Sequence, residues 1–207
     1  MRQFTLSDST TISEASKCYV IAEAGVNHNG DLGLAKELVY AAQQSGADAV
    51  KFQAFVPELL AHRHASKAGY QLANTGAGSQ LSMLEALALP LKNFAVLKNE
   101  ADKMGIDFIC TAFDEHSLEE IYELDPKCLK WPSGEITNVP FIRKAGKLGL
   151  PVIISTGMSN LAEVERAIRE FETHGTSEIA ILQCVSAYPA EIKDQNLRAM
   201  AKMSDYF

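Results

Sequence analysis

Apolar residues gather in short runs rich in β-branched and aromatic side chains, and each run is followed by a stretch with helical spacing. The runs are "CYVIAEA" (18–24), "DAVKFQAF" (48–55), "DFICTAF" (107–113), "CLKWPS" (128–133), "PVIISTG" (151–157) and "EIAILQCVS" (178–186). Helical periodicity follows over 31–45, 90–104, 115–124, 138–148, 160–173 and 193–206. Six strand-helix units in strict alternation predict a parallel sheet with helices outside, because parallel neighbours need a crossover connection. In the second run, alternation places Ala49, Lys51 and Gln53 on one face and Val50 and Phe52 on the other. Val50 and Phe52 are therefore expected against the helices, with the polar set pointing inward.

The connection over 54–89 breaks the rhythm, carrying "AHRHASKAGYQLANTGAGSQLSMLEALAL" before its helix opens at Pro90. Ordering a long loop costs entropy that a ligand or partner must offset, so it is expected to arch over a substrate and stay mobile until one binds. A partner-binding or disordered insert is the alternative.

An open doubly wound sheet and a closed barrel both satisfy the alternation. The open sheet would carry a glycine-rich phosphate loop after its first strand, and "EAGVNHNGD" is neither G-x-G-x-x-G nor a P-loop. Barrel enzymes assemble their sites from polar residues at many strand ends. Here the strands end in Glu23; Lys51 and Gln53; Thr111 and Asp114; Lys130, Ser133 and Glu135; Ser155 and Thr156; and Gln183 and Ser186. The expected fold is α/β, a TIM-type (β/α)8 barrel with about six of its units in this chain, residues 1–207 forming one barrel domain.

Composition fits one sizeable core, with 207 residues, 47% apolar and 22% charged. The net charge of -7 comes with no basic block, which argues against nucleic acid or an anionic membrane surface as the main partner. No run approaches the roughly 18 apolar residues of a membrane span, and "MRQFTLSDSTTISEASK" lacks a signal-peptide core. Cys18, Cys110, Cys128 and Cys184 are widely spaced in apolar runs and read as reduced core residues of a cytoplasmic protein.

Two lysines and several hydroxyls converging from strand ends suit a small anion bearing carboxylate and phosphate groups, since ammonium and hydroxyl donors satisfy such oxygens. Glu23 and Glu135 remain for proton handling or for sugar hydroxyls. The plainer alternatives are lysines that snorkel to solvent, and a Ser133 or Glu135 that only starts the helix near Thr137.

"IAEAGVNHNGD", "AVKFQ", "ANTGAGSQLSML", "PSGEITNVP", "ISTGMS" and "CVSAYPA", in this order, resemble the N-terminal barrel of the sialic acid synthase family, from about Lys17 to the last residue. That family includes N-acetylneuraminate, legionaminic and pseudaminic acid synthases. The resemblance implies a metal-dependent condensation of phosphoenolpyruvate with an N-acylated hexosamine such as N-acetylmannosamine. The enol carbon attacks the open-chain aldehyde, water adds at the cationic centre, and phosphate leaves by C–O cleavage to give a nonulosonic acid. By the same resemblance Lys51, Thr111, Lys130, Ser133, Ser155 and Ser186 hold phosphoenolpyruvate, and Gln53, Asn74, Tyr188 and Glu23 face the amino sugar. Glu135 sits against phosphoenolpyruvate and joins Glu23 as a catalytic carboxylate. Gln183 and Ala187 depart from the pattern, where related barrels often carry His and Asn.

The resemblance also implies a divalent metal, Mn or Mg, and a homodimer for the complete enzyme. The family's two metal-ligand histidines, its last two strands and a C-terminal antifreeze-like domain would lie beyond Phe207. The five histidines here do not replace them: His62 and His64 form an H-x-H pair with no cysteine or carboxylate at ligand spacing. The chain is thus expected to be a fragment, inactive alone, with unpaired sheet edges. A Schiff-base aldolase using Lys51 or Lys130, or an inert partial barrel acting only in assembly, are the competing functions.

Overall fold

The computed structural model describes residues 3–207, apart from the side chains of Tyr70 and Asn74. Its elements run β1 (Gln3–Thr5), β2 (Thr11–Ser13), β3 (Ile21–Gly25), α1 (Leu32–Gln44), β4 (Ala49–Ala54), α2 (Pro57–Leu60), α3 (Gly69–Thr75), α4 (Gln80–Leu87), α5 (Lys92–Met104), β5 (Asp107–Ala112), α6 (Glu115–Tyr122), β6 (Leu129–Trp131), α7 (Val139–Gly146), β7 (Val152–Ser155), α8 (Leu161–His174), β8 (Ile179–Leu182) and α9 (Ala199–Tyr206). Every strand and helix expected from the hydrophobic pattern is present. The short strands β1 and β2 are additional, in a segment too polar to carry a hydrophobic signal.

The chain packs as two compact units, one of Ile12–Lys127 and one of Cys128–Phe207 with the N-terminal residues up to Thr11. In the first, β3, β4 and β5 form a parallel sheet, with Lys51 opposite Glu23 on one side and Ile109 on the other, and Gln53 opposite Thr111. Val50, Phe52 and Ala54 meet Ala35 and Val39 of α1 and Phe94, Leu97 and Ala101 of α5 in a continuous core. Alternation along β4 therefore holds, because a strand covered by helices on one face must send its large apolar residues there.

The long connection is helical where a loop was expected: α2, α3 and α4 occupy it. Phe55, Ala61 and Leu84 give it a small core of its own, with Met83, Leu87 and Phe113 packed alongside. Buried Lys67 ties α3 to the next turn, its ammonium donating to Thr75 Oγ1 at 2.9 Å and the Gly76 carbonyl at 3.1 Å.

In the second unit β6, β7 and β8 form another parallel sheet of three. Pro132, which has no N–H to donate, follows β6 and limits it to three residues. Trp131 anchors the core against Phe141 of α7 and Phe171 of α8, with ring centroids 4.7 and 5.1 Å away. Gly146 lets the helices close: a Cβ there would lie 2.9 Å from His174 Cβ. Arg143 forks onto Glu170 at 2.8 and 3.1 Å, and this contact holds the Glu170 carboxyl below its ordinary range.

The α/β class and the strand-helix alternation stand. The six parallel strands are hydrogen-bonded as two sheets of three, so the TIM-type barrel stays an expectation that this pairing does not itself establish. No helix among the described residues is long and apolar enough to cross a membrane.

Candidate active site

In the first unit the polar ends of adjacent strands meet. Lys51 is 8% exposed, and its ammonium pairs with the Glu23 carboxylate across the β3–β4 register. Gly25 closes β3 with φ at +54°, a left-handed conformation that favours glycine, and a Cβ there would lie 3.0 Å from Glu23 Oε1 and 3.5 Å from Gln53 Nε2. Glu23, Lys51 and Gln53 therefore crowd one spot, with buried Thr111 beside Gln53 on the next strand. Asn74 falls in α3, and its side chain lies outside the described residues.

In the second unit Lys130, also 8% exposed, donates to Ser155 Oγ on β7 and to the Trp131 carbonyl at 3.1 Å. Ser133 Oγ and Ser186 Oγ lie 3.0 Å apart. A single 3-10 turn over Ser133–Glu135 carries the first of these, and Trp131 fixes it by donating its indole N–H to the Glu135 carbonyl at 3.1 Å. The Glu135 carboxylate accepts from Asn138 Nδ2 at 2.7 Å, and Asn138 caps α7. Tyr188 stands two-thirds exposed. Ser186 opens onto a cavity of about 550 Å³ that Gly157, Asn160, Cys184, Asp194 and Lys202 also line.

Three strand-end candidates serve the fold instead. Asp114 caps α6, accepting from Ser117 N at 2.8 Å and Ser117 Oγ at 2.7 Å, and it also holds Val56 N at 2.8 Å. Thr156 Oγ1 donates to the Leu182 carbonyl at 3.0 Å, and Gln183 Nε2 to the Gln195 carbonyl at 3.3 Å. Cys110 and Cys128 are core residues, and burial pushes the Cys110 thiol far up. Cys18 is exposed and Cys184 half-buried, so the core reading fails for Cys18, which precedes β3 instead of lying in it.

Cys184, read from the sequence as a core residue, and Gly157, given no role there, join the serine pair. Gly157 N donates to Cys184 Sγ at 3.1 Å.

The described residues do not fit a divalent metal. No three of their His, Cys, Asp or Glu side chains come together as a ligand set. His62 and His64 are exposed with ring centroids 5.3 Å apart, and His62 Nδ1 is taken up by the His64 backbone N–H at 3.3 Å.

Residues 38–207 match the NeuB family model. Over 195 residues the chain is 48% identical to an N,N'-diacetyllegionaminic acid synthase of Legionella pneumophila, covering 92% of this chain and 55% of that protein. It is 31% identical to the human N-acetylneuraminate-9-phosphate synthase, covering 92% of this chain and 53% of that one. A crystal structure of N-acetylneuraminic acid synthetase from Leptospira borgpetersenii, in complex with citrate, matches with a TM-score of 0.83 at 29% identity, covering all of this chain and 67% of that one. The chain spans about half the length of the curated relatives it matches. With the model match running over most of its residues, the chain belongs to the NeuB family.

Proposed function

We propose that the chain supplies the phosphoenolpyruvate-holding groups of a synthase that condenses phosphoenolpyruvate with an N-acylated hexosamine to give a nonulosonic acid and phosphate. One observation carries this beyond family membership. Lys51 and Lys130 are each only 8% exposed, so neither is a strand-end lysine snorkelling to solvent. The Lys51 ammonium is already paired with Glu23, whereas that of Lys130 lies against the Ser155 hydroxyl and suits anionic oxygens, where charge-assisted hydrogen bonds are stronger than neutral ones.

The roles then divide by chemistry. Lys130, Ser155, Ser133 and Ser186, all in the second unit, donate to phosphoenolpyruvate oxygens; for Lys51 and Thr111 of the first unit the same role rests on the family resemblance alone. Glu135 stabilises positive charge developing at the enol ether or carries a proton. Glu23 and Gln53 offer an acceptor and a donor for sugar hydroxyls; for Asn74 and Tyr188 the sugar-side role rests on the family resemblance alone. A divalent metal and a homodimer are implied for the complete enzyme by the family resemblance alone.

Binding, not turnover, is the readout for this chain. Lys130→Ala is expected to weaken phosphoenolpyruvate by about 1.5 to 3 kcal/mol, the worth of a charged hydrogen bond, and Lys51→Ala to do the same while freeing Glu23. Calorimetric titration checks both, and unchanged affinity in the two variants removes the anion pocket. Borohydride treatment with a keto acid should leave both lysines unmodified, whereas a trapped adduct at either identifies a Schiff-base aldolase.

A further inference from the structure

The geometry points to Gly157 as a positioning residue that acts through Ser186: its missing side chain is what lets the Ser186 hydroxyl reach Ser133. The inference rests on the phosphoenolpyruvate role proposed above for those serines. A Cβ built at Gly157 would lie 2.4 Å from Ser186 Oγ, 3.0 Å from Cys184 Sγ and 3.2 Å from Ser133 Oγ. All three atoms press on one glycine from two different chain segments, and the two hydroxyls, 3.0 Å apart, meet over it.

Space, not backbone conformation, requires glycine there. Gly157 is absent from the chain's positive-φ glycines, so an alanine can adopt its dihedrals. Gly134, in the neighbouring turn, likewise lacks a positive φ but has open space where its Cβ would stand. The Gly157 backbone is also held, through its N–H on Cys184 Sγ at 3.1 Å. An added methyl cannot back away easily, so the movable partner must yield. The serine hydroxyl yields by rotating about χ1, which costs little stability but breaks the pair. Two hydroxyls aimed together can share one anionic oxygen; one turned aside cannot.

The test compares Gly157→Ala, Ser186→Ala and the double variant by calorimetric titration with phosphoenolpyruvate, alongside thermal melting and a crystal structure of Gly157→Ala. Gly157→Ala is expected to weaken binding about tenfold, the scale of one charged hydrogen bond, with melting close to the parent's. The double variant is expected to bind as Ser186→Ala alone does, because the one contact under 3.0 Å, with Ser186 Oγ, is then gone and Ser133 Oγ at 3.2 Å need give only a few tenths of an ångström. Parent-like affinity in Gly157→Ala overturns the inference and leaves the function standing if Ser186→Ala is weakened. Independent losses that multiply in the double variant, or a fall in melting temperature that Ser186→Ala does not repair, overturn it too. Should neither the parent nor Ser186→Ala respond to phosphoenolpyruvate, the proposed function fails. The crystal structure then decides alone: a Ser133–Ser186 pair still hydrogen-bonded above the added methyl contradicts the inference, and a rotated Ser186 upholds it.

Discussion

Burial decides the proton count of His28. It is fully buried, its Nδ1 accepts from Gly30 N at 3.1 Å, and Nε2 has no partner among the described residues. Desolvation lowers its pKa from the ordinary 6.5, so the folded protein protonates it at lower pH than the unfolded chain does. The unfolded state binds more protons below pH 6.5, and stability must fall as pH drops through that point and recover above it. His28→Asn keeps an acceptor for Gly30 and removes the titration, so its denaturant midpoint should change less between about pH 7.5 and about pH 5.5 than the parent's does. An equal change in both proteins excludes His28 as the source. Glu135→Gln keeps an acceptor for Asn138 and removes charge, so phosphoenolpyruvate affinity should hold within about threefold in calorimetry while turnover falls in any assembly that condenses. An affinity loss as large as that of Lys130→Ala would make Glu135 a binding group instead. The lysines and serines were legible because charged and hydroxyl groups stand out in apolar runs. Gly157 was not, since what it does depends on atoms from two distant segments.

Helices α1, α4, α6, α7 and α8 each open on a side-chain cap. Asn160 and Glu163 form a reciprocal capping box at the start of α8, with bonds of 3.0 and 2.8 Å. Asn160→Ala should cost about 1 kcal/mol in chemical denaturation, and Asn160→Ser much less. Equal losses would show that the box contributes nothing. The segment holding α2, α3 and α4 was read as a loop because its turns are short, its helices run only four to eight residues and its glycines interrupt any periodicity. Lys67 supplies order that no local pattern reveals. Lys67→Met should therefore speed amide exchange over 65–80 while leaving β4 protected, and unchanged exchange would assign that order to Phe55 and Leu84 instead. The long strands were legible because alternation and helix-facing residues agree. The two-sheet arrangement was not, since strand pairing between distant segments leaves no trace in local hydrophobicity.

At the scale of the molecule, the second unit carries large apolar residues in solvent, including Ile192 at 88% exposure, Met158 at 76% and Leu197 at 60%. Scattered apolar residues are ordinary on a surface, but three this exposed in one unit predict binding of a hydrophobic dye, and Ile192→Asp should reduce the signal. Dye fluorescence equal to that of a fully covered control would contradict the prediction. The central claim is that buried strand lysines and their hydroxyl neighbours hold phosphoenolpyruvate. A crystal structure of the protein grown with saturating phosphoenolpyruvate tests it most directly. The account predicts density for the ligand with oxygens within hydrogen-bond distance of Lys130 Nζ, Ser155 Oγ and the Ser133–Ser186 pair. Phosphoenolpyruvate bound elsewhere, or lysine and serine side chains unaltered with no ligand beside them at saturation, would contradict it.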